Sequence, residues 1–65
     1  MAMPRKQIDI AVHEAFLTGP QAVARETATG REVARATGKD RQDAIARVID
    51  RVRQIYPDAE IIVPR

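Results

Sequence analysis

Apolar and polar residues alternate near the start of the chain, in QIDIAVHEAFL at residues 7 to 17. The apolar positions that share one side of such a strand are Ile8, Ile10, Val12 and Phe16. Glu14 is the charged exception on that side. A period of two with β-branched residues predicts a β-strand, and TGP at residues 18 to 20 predicts the turn that follows it.

A different period governs residues 40 to 56, DRQDAIARVIDRVRQIY. Apolar side chains recur there at steps of three and four residues, which predicts a helix with one apolar stripe. The stripe consists of Ile45, Val48, Ile49, Val52, Ile55 and Tyr56. Asp40 is the predicted N-cap. Asp43 should face the positive end of the helix dipole and pair with Arg47, four residues later.

The segment between these two, VARETATGREVARATG at residues 23 to 38, nearly repeats itself and allows two interpretations. The first is a β-hairpin with residues 28 to 30 as its loop, in which Gly30 takes the position that favours a positive φ. Arg25 would then face Val33, and Val23 would face Arg35. The alanines would pair with one another on the other side, as Ala22 with Ala36 and Ala24 with Ala34.

The second interpretation is a pair of helices. Residues 32 to 50 resemble the helix-turn-helix of lac-repressor-type DNA-binding proteins through Val33, Ala34, Gly38 and the string ARVID. In that motif the buried aliphatic residue comes six positions after the turn glycine, whereas Ile45 comes one position later. The turn geometry therefore favours the hairpin, and the helix-turn-helix stays as the alternative.

Pro57 should end the helix, because it pushes the preceding residue toward extended geometry. AEIIV at residues 59 to 63 then predicts a short last strand. The order β-β-β-α-β predicts an α+β fold, with a three-stranded antiparallel meander, a C-terminal strand parallel to the first strand, and one helix on one sheet face. We expect Phe16, Ile61 and Val63 to join the alanines and the helix stripe in the core. Residues 1 to 65 form one predicted domain, with a flexible stretch at residues 1 to 5.

This order of elements resembles the small, partial ribonuclease-H-like domain of HicB-type antitoxins and other short β-rich bacterial domains. The resemblance covers residues 6 to 63, and the acidic helix start with DAI at residues 43 to 45 is similar to the family's EEAL. The family's PDLPGC-like segment after the second strand is replaced here by RETATGREV. The resemblance implies binding to a small toxin protein, whereas DNA binding in that family goes through an added domain.

Composition narrows the function classes. The chain has 65 residues, a net charge of +2, no cysteine and one histidine, which predicts neither a disulfide framework nor a metal or cofactor site. No apolar run is long enough for a membrane span, so we expect a cytoplasmic protein.

Asp9 lies four residues before His13, but no nucleophile accompanies them. The prediction is an exposed strand histidine and a protein that is not an enzyme.

The sheet face opposite the helix is the predicted interaction surface. The hairpin would place Val23, Arg25, Thr27, Arg31, Val33, Arg35 and Thr37 there, with Ala11, His13 and Ala15 from the first strand and Ile62 from the last. A mixture of apolar residues and arginines is typical of interface cores, and the third strand leaves a free sheet edge. We expect a protein partner and a homodimer. The alternative is that the arginine row contacts nucleic-acid phosphates, as a β-ribbon does.

Overall fold

The computed structural model of the protein describes residues 5 to 17 and 19 to 64. Five elements follow one another along the chain: β1 (Gln7–Ala15), β2 (Gly19–Glu26), β3 (Glu32–Thr37), α1 (Arg41–Ile55) and β4 (Glu60–Ile62). The four strands form one sheet in the order β3-β2-β1-β4. Antiparallel pairing joins β1 to β2 and β2 to β3, while β4 runs parallel to β1. The predicted α+β class and β-β-β-α-β order are confirmed; of the predicted flexible start, residues 1 to 4 lie outside the described residues.

The core lies between α1 and one face of the sheet. Its fully or nearly fully buried members are Ile8, Ile10, Ala22, Ala24, Ala36, Ala44, Val48, Val52 and Ala59. The helix packs chiefly on β2 and β3 and less on β1. Small alanine side chains on those two strands let the helix approach the sheet closely, so that Val48 and Val52 are completely buried.

The predicted core is wrong at three positions, one of which is Ile55 in the last turn of α1, where the side chain is 52% exposed. Phe16 is fully exposed (100%), because β1 ends at Ala15 and the chain turns there toward β2. Val63 is 46% exposed, because β4 ends one residue earlier. The predicted helix stripe also omitted Ala44, which is completely buried one turn before Val48.

The helix-turn-helix alternative is wrong, because residues Glu32–Thr37 form a strand rather than a first helix. The predicted hairpin pairs are present, with Val23 opposite Arg35 and the alanines opposite one another. Pairing of Ala36 with Ala22 buries both methyl groups under α1, which a helix at this place would not do.

The hairpin differs from the prediction near its turn. A β-bulge shifts the register between Ala24 and Arg25, so that Arg25 faces Glu32 instead of Val33. The loop is one residue longer than expected, because the Glu26 N–H donates to the Arg31 carbonyl at 2.8 Å. Within the loop Gly30 has φ +73°, as predicted.

The start of α1 is fixed by two hydrogen bonds of Asp43. The Asp43 N–H donates to Asp40 Oδ1 at 2.8 Å, and the Lys39 N–H donates to Asp43 Oδ2 at 3.0 Å. The first bond confirms Asp40 as the predicted N-cap. The second differs from a standard capping box, because the Asp43 carboxylate accepts from the residue before the N-cap and not from the N-cap itself. The Arg47 Nε also donates to Asp43 Oδ2 at 3.1 Å, as its spacing predicted.

Candidate interaction surface

One face of the sheet carries no helix among the described residues, and we call it the outer face. Alternation along the strands and the pairing register place its members. They are Gln7, Asp9, Ala11 and His13 of β1, Gln21, Val23, Arg25 and Thr27 of β2 and the following loop, Glu32, Arg35 and Thr37 of β3, and Glu60 and Ile62 of β4. Five of the seven predicted interaction residues therefore share this face: His13, Val23, Arg25, Thr27 and Arg35.

The best-defined polar contact of the outer face joins Arg35 to Glu32. Arg35 donates from Nη2 to Oε1 at 2.6 Å and from Nε to Oε2 at 2.9 Å, which is a bidentate pair. The hydrogen bonds from Arg35 lower the pKa of the Glu32 carboxyl, and the positive charge of Arg25 acts in the same direction. The same hydrogen bond raises the pKa of Arg35. The bulge makes this contact, because it turns Glu32 to the same face as Arg35.

A second polar contact lies nearer to β4. The Thr27 hydroxyl donates to Asp9 Oδ2 at 2.9 Å, and Asp9 stands opposite Arg25 in the register. On its other side Asp9 faces Ile62, which is 43% exposed. The outer face thus alternates acidic and basic groups around Arg25 and keeps an accessible apolar residue at one side.

The centre of the outer face is apolar and already covered. Val23 is only 4% exposed, although α1 lies on the other side of the sheet. Its register neighbours are Ala11 on β1 and Arg35 on β3. The methylene stem of an arginine can lie along apolar surface, and Arg35 stands directly opposite Val23 in the register, in a position to contribute to this cover.

Two predicted interaction residues are not on the outer face. Val33 packs against the core under α1, because the bulge turns it and Ala34 to the same side. Arg31 lies in the hairpin loop, where its charge contributes to lowering the pKa of Glu26, after the larger contribution of the hydrogen bond from Lys6. His13 is exposed near the end of β1, opposite Gln21.

A polar cluster that sequence reasoning missed lies at the opposite end of the sheet from Phe16. The Lys6 Nζ donates to Glu26 Oε2 at 2.8 Å and stands 4.8 Å from the centre of the Tyr56 ring. The cluster joins the start of β1, the end of β2 and the end of α1. Its members are 20 and more residues apart in sequence, so only the three-dimensional fold brings them together.

The clefts of the described surface are open ones, and two of them adjoin along the free side of β3. We call them together the β3–α1 groove. They are lined by Thr37, Arg47, Asp50 and Arg51 at one end, and by Glu32 to Arg35, Gln54 and Ile55 at the other. In the described part of the chain no group of three or more metal-ligating side chains occurs, and no helix is long and apolar enough to cross a membrane.

Comparison with protein-family models, curated proteins and solved structures gives no match to this chain. A function is therefore inferred from the structure itself, from the outer face of the sheet and its free edge.

Proposed function

We propose that this protein is a small, non-enzymatic binding module that engages a protein partner through the outer face, in the manner of an antitoxin domain. The observation that carries the proposal is a sheet face that no helix of residues 5 to 17 and 19 to 64 covers, on which Arg35 makes a bidentate pair with Glu32 beside Arg25. Preorganised arginine side chains lose little conformational entropy on binding and are common in interface hot spots.

The charge pattern favours a protein partner over nucleic acid. Both arginines of the outer face have acidic neighbours, since Glu32 holds Arg35 and Asp9 stands opposite Arg25. A phosphate backbone is best met by an uninterrupted cluster of positive charge, whereas a mixed pattern suits a protein surface with its own acids and bases. Ile62 and the covered Val23 add the apolar component that interface cores contain.

Affinity capture from the native host tests the proposal. We expect Arg25→Ala and Arg35→Ala to lose the captured partner, because they remove charge and contact area from the outer face. Arg41→Ala is the matched control, since Arg41 is exposed in the first turn of α1, in the helix layer of the fold. Equal recovery with all three variants, each shown by circular dichroism to be folded, would overturn the proposal.

Nucleic-acid binding is the second candidate, and Arg25 favours it, because among the described residues it makes no ion pair. The measurement is fluorescence anisotropy of labelled duplex DNA and RNA at low and moderate salt. Contact with phosphates would give binding that weakens steeply with salt and with Arg25→Ala. The absence of any anisotropy change at low salt would eliminate this candidate.

A further inference from the structure

The free edge of β3 is the most complete unsatisfied pairing surface in the described part of the chain. The strand order leaves β3 and β4 at the two edges, and β4 has only three residues, followed by Val63 and Pro64. β3 has six residues, and the bulge interrupts only its first half. Short strands and prolines protect sheet edges against pairing, and the second half of β3 has neither protection.

The direction of the free peptide groups follows from one hydrogen bond. The Gly38 N–H donates to the Pro20 carbonyl of β2 at 3.2 Å. Antiparallel ladders alternate, so the peptide groups of Ala36 also point toward β2. Those of Arg35 and Thr37 therefore point away from the sheet, with N–H and C=O available to another strand.

We propose that two copies of this chain pair through β3, antiparallel about a two-fold axis at Ala36, to form one eight-stranded sheet. In this register Arg35 of one copy exchanges N–H···O=C hydrogen bonds with Thr37 of the other copy, and Ala36 faces its own counterpart. No like charges stand opposite one another. The inference goes beyond the proposed function, because it concerns the sheet edge and does not depend on a partner for the outer face.

The position of α1 fits this arrangement. The helix packs chiefly on β2 and β3, so its axis lies above the region between them. Two β3 strands at a spacing of about 4.8 Å would bring the two helix axes to about 10 Å. Packed helices lie roughly 8 to 10 Å apart, so pairing the strands would also bring the helices into contact.

The side of α1 next to the proposed axis carries both acidic and basic residues, so opposite charges of the two copies can face each other there. Arg47, Asp50 and Arg51 line the end of the β3–α1 groove next to Thr37, beside the proposed axis. The two helices would run antiparallel, which places Asp50 of one copy near Arg51 of the other. Arg47 already pairs with Asp43, whereas Arg51 makes no ion pair among the described residues. This complementarity favours a second copy over an unrelated extended peptide as the occupant of the edge.

Proline substitution at the edge tests the proposal. Thr37→Pro removes an N–H that points to solvent in the single copy, where proline is tolerated, but that donates across the proposed axis. Thr37→Val keeps the N–H and is the matched control. In sedimentation experiments over a wide range of protein concentration, we expect wild type and Thr37→Val to approach twice the 7.2 kDa chain mass. Thr37→Pro should dimerise about thirtyfold more weakly, since each copy loses one hydrogen bond.

Two further measurements keep the proposal testable if Thr37→Pro fails to fold. Asp50→Arg should weaken the dimer, and Asp50→Arg combined with Arg51→Asp should restore it. In wild type, the Arg35 and Thr37 amides should gain protection from hydrogen exchange as the concentration rises. A wild-type chain that stays monomeric, or protection that does not change with concentration, would overturn the proposal. Arg25→Ala should leave the dimer intact, which separates this result from failure of the proposed function.

Discussion

Gly38 is the residue at which one missing methyl group matters most. A Cβ at this position would overlap the Ala44 amide nitrogen and lie 2.8 Å from the carbonyl carbon of Asp43. Both atoms belong to the backbone of the first turn of α1, which cannot move away without breaking the hydrogen bonds of Asp43 with Asp40 and Lys39. Gly38 is therefore required by space, whereas Gly30 is required by its positive φ in an otherwise open loop.

We expect Gly38→Ala to lower the free energy of unfolding by about 2 to 3 kcal/mol, because the overlap is with backbone. Gly30→Ala should cost roughly 1 to 2 kcal/mol, which is the cost of the left-handed conformation for a residue with a Cβ. Urea denaturation of both variants measures the difference. A Gly38→Ala protein as stable as wild type would show that the strand-to-helix junction is looser than described.

The charged groups with shifted pKa values predict an acid dependence. The hydrogen bond from Lys6 lowers the pKa of Glu26 below its ordinary value of 4.5, and the hydrogen bond from the Lys39 N–H lowers that of Asp43 below 3.8. As the pH falls through these ordinary values, the two carboxylates are protonated in the unfolded chain but stay charged in the folded chain. The stabilisation is therefore complete above about pH 5 and is lost as the pH falls through the lowered values.

Glu26→Gln should flatten the dependence of the unfolding free energy on pH between about pH 5 and pH 2. Glu14→Gln is the control, because Glu14 is exposed and its carboxylate makes no ion pair among the described residues. Chemical denaturation at a series of pH values measures both slopes. If Glu26→Gln retained the wild-type slope, the contact with Lys6 would not contribute to folding.

Among the elements, helix and hairpin differ in how far the sequence determines them. The α1 boundaries and caps follow from Asp40, Asp43 and Pro57, because these signals act within a few residues. The hairpin pairs at Ala22 and Ala24 follow from the rule that alanines share one face. The bulge does not follow from the sequence. The longer loop shifts the pairing register by one residue and the extra residue in β3 shifts it back, so the pairs farther from the turn are the same with or without the bulge.

The bulge determines on which face of the sheet Glu32 and Val33 lie. With the bulge, Val33 turns into the core and Glu32 turns out to meet Arg35. Counting by alternation alone exchanges these two residues, as the sequence-based hairpin did. The outer face is therefore more acidic and less apolar than the pattern of residues predicts.

The close approach of α1 to the sheet predicts a steric effect at Ala24. Ala24 is completely buried under the helix, so Ala24→Val should lower the unfolding free energy by about 1 to 3 kcal/mol through overpacking. Ala28→Val is the matched control, since Ala28 is exposed in the hairpin loop. Thermal unfolding followed by circular dichroism compares the two. Equal melting temperatures would mean that the helix can rise from the sheet at little cost.

For the whole molecule, the fold class and strand order were predictable from the periods of the three apolar segments. The ends of β1 and β4 were not, because Phe16 and Val63 continue the apolar pattern past the last paired residues, to positions that no strand or helix of the described chain covers. The buried set is small and rich in alanine. A chain of this size buries a modest share of its surface, so association with a second copy would add to its stability.

Dimerisation through β3 would make thermal stability depend on protein concentration. We expect the melting temperature of wild type to rise with concentration, and that of Thr37→Pro to rise only at concentrations about thirtyfold higher. Differential scanning calorimetry at several concentrations measures both. A concentration-independent melting temperature in wild type would be the behaviour of a monomer.

The exposed turn after β1 is the most accessible place for chymotrypsin cleavage in the described part of the chain. Phe16 and Leu17 are 100% and 89% exposed, whereas the other aromatic residue, Tyr56, is half-buried and precedes a proline that blocks cleavage. A cut after Phe16 would separate β1 from the rest of the chain covalently. β1 would nevertheless stay between β2 and β4, held by both ladders. The nicked protein should therefore behave as a two-piece complex, in which β1 can be exchanged for a synthetic peptide that carries a label.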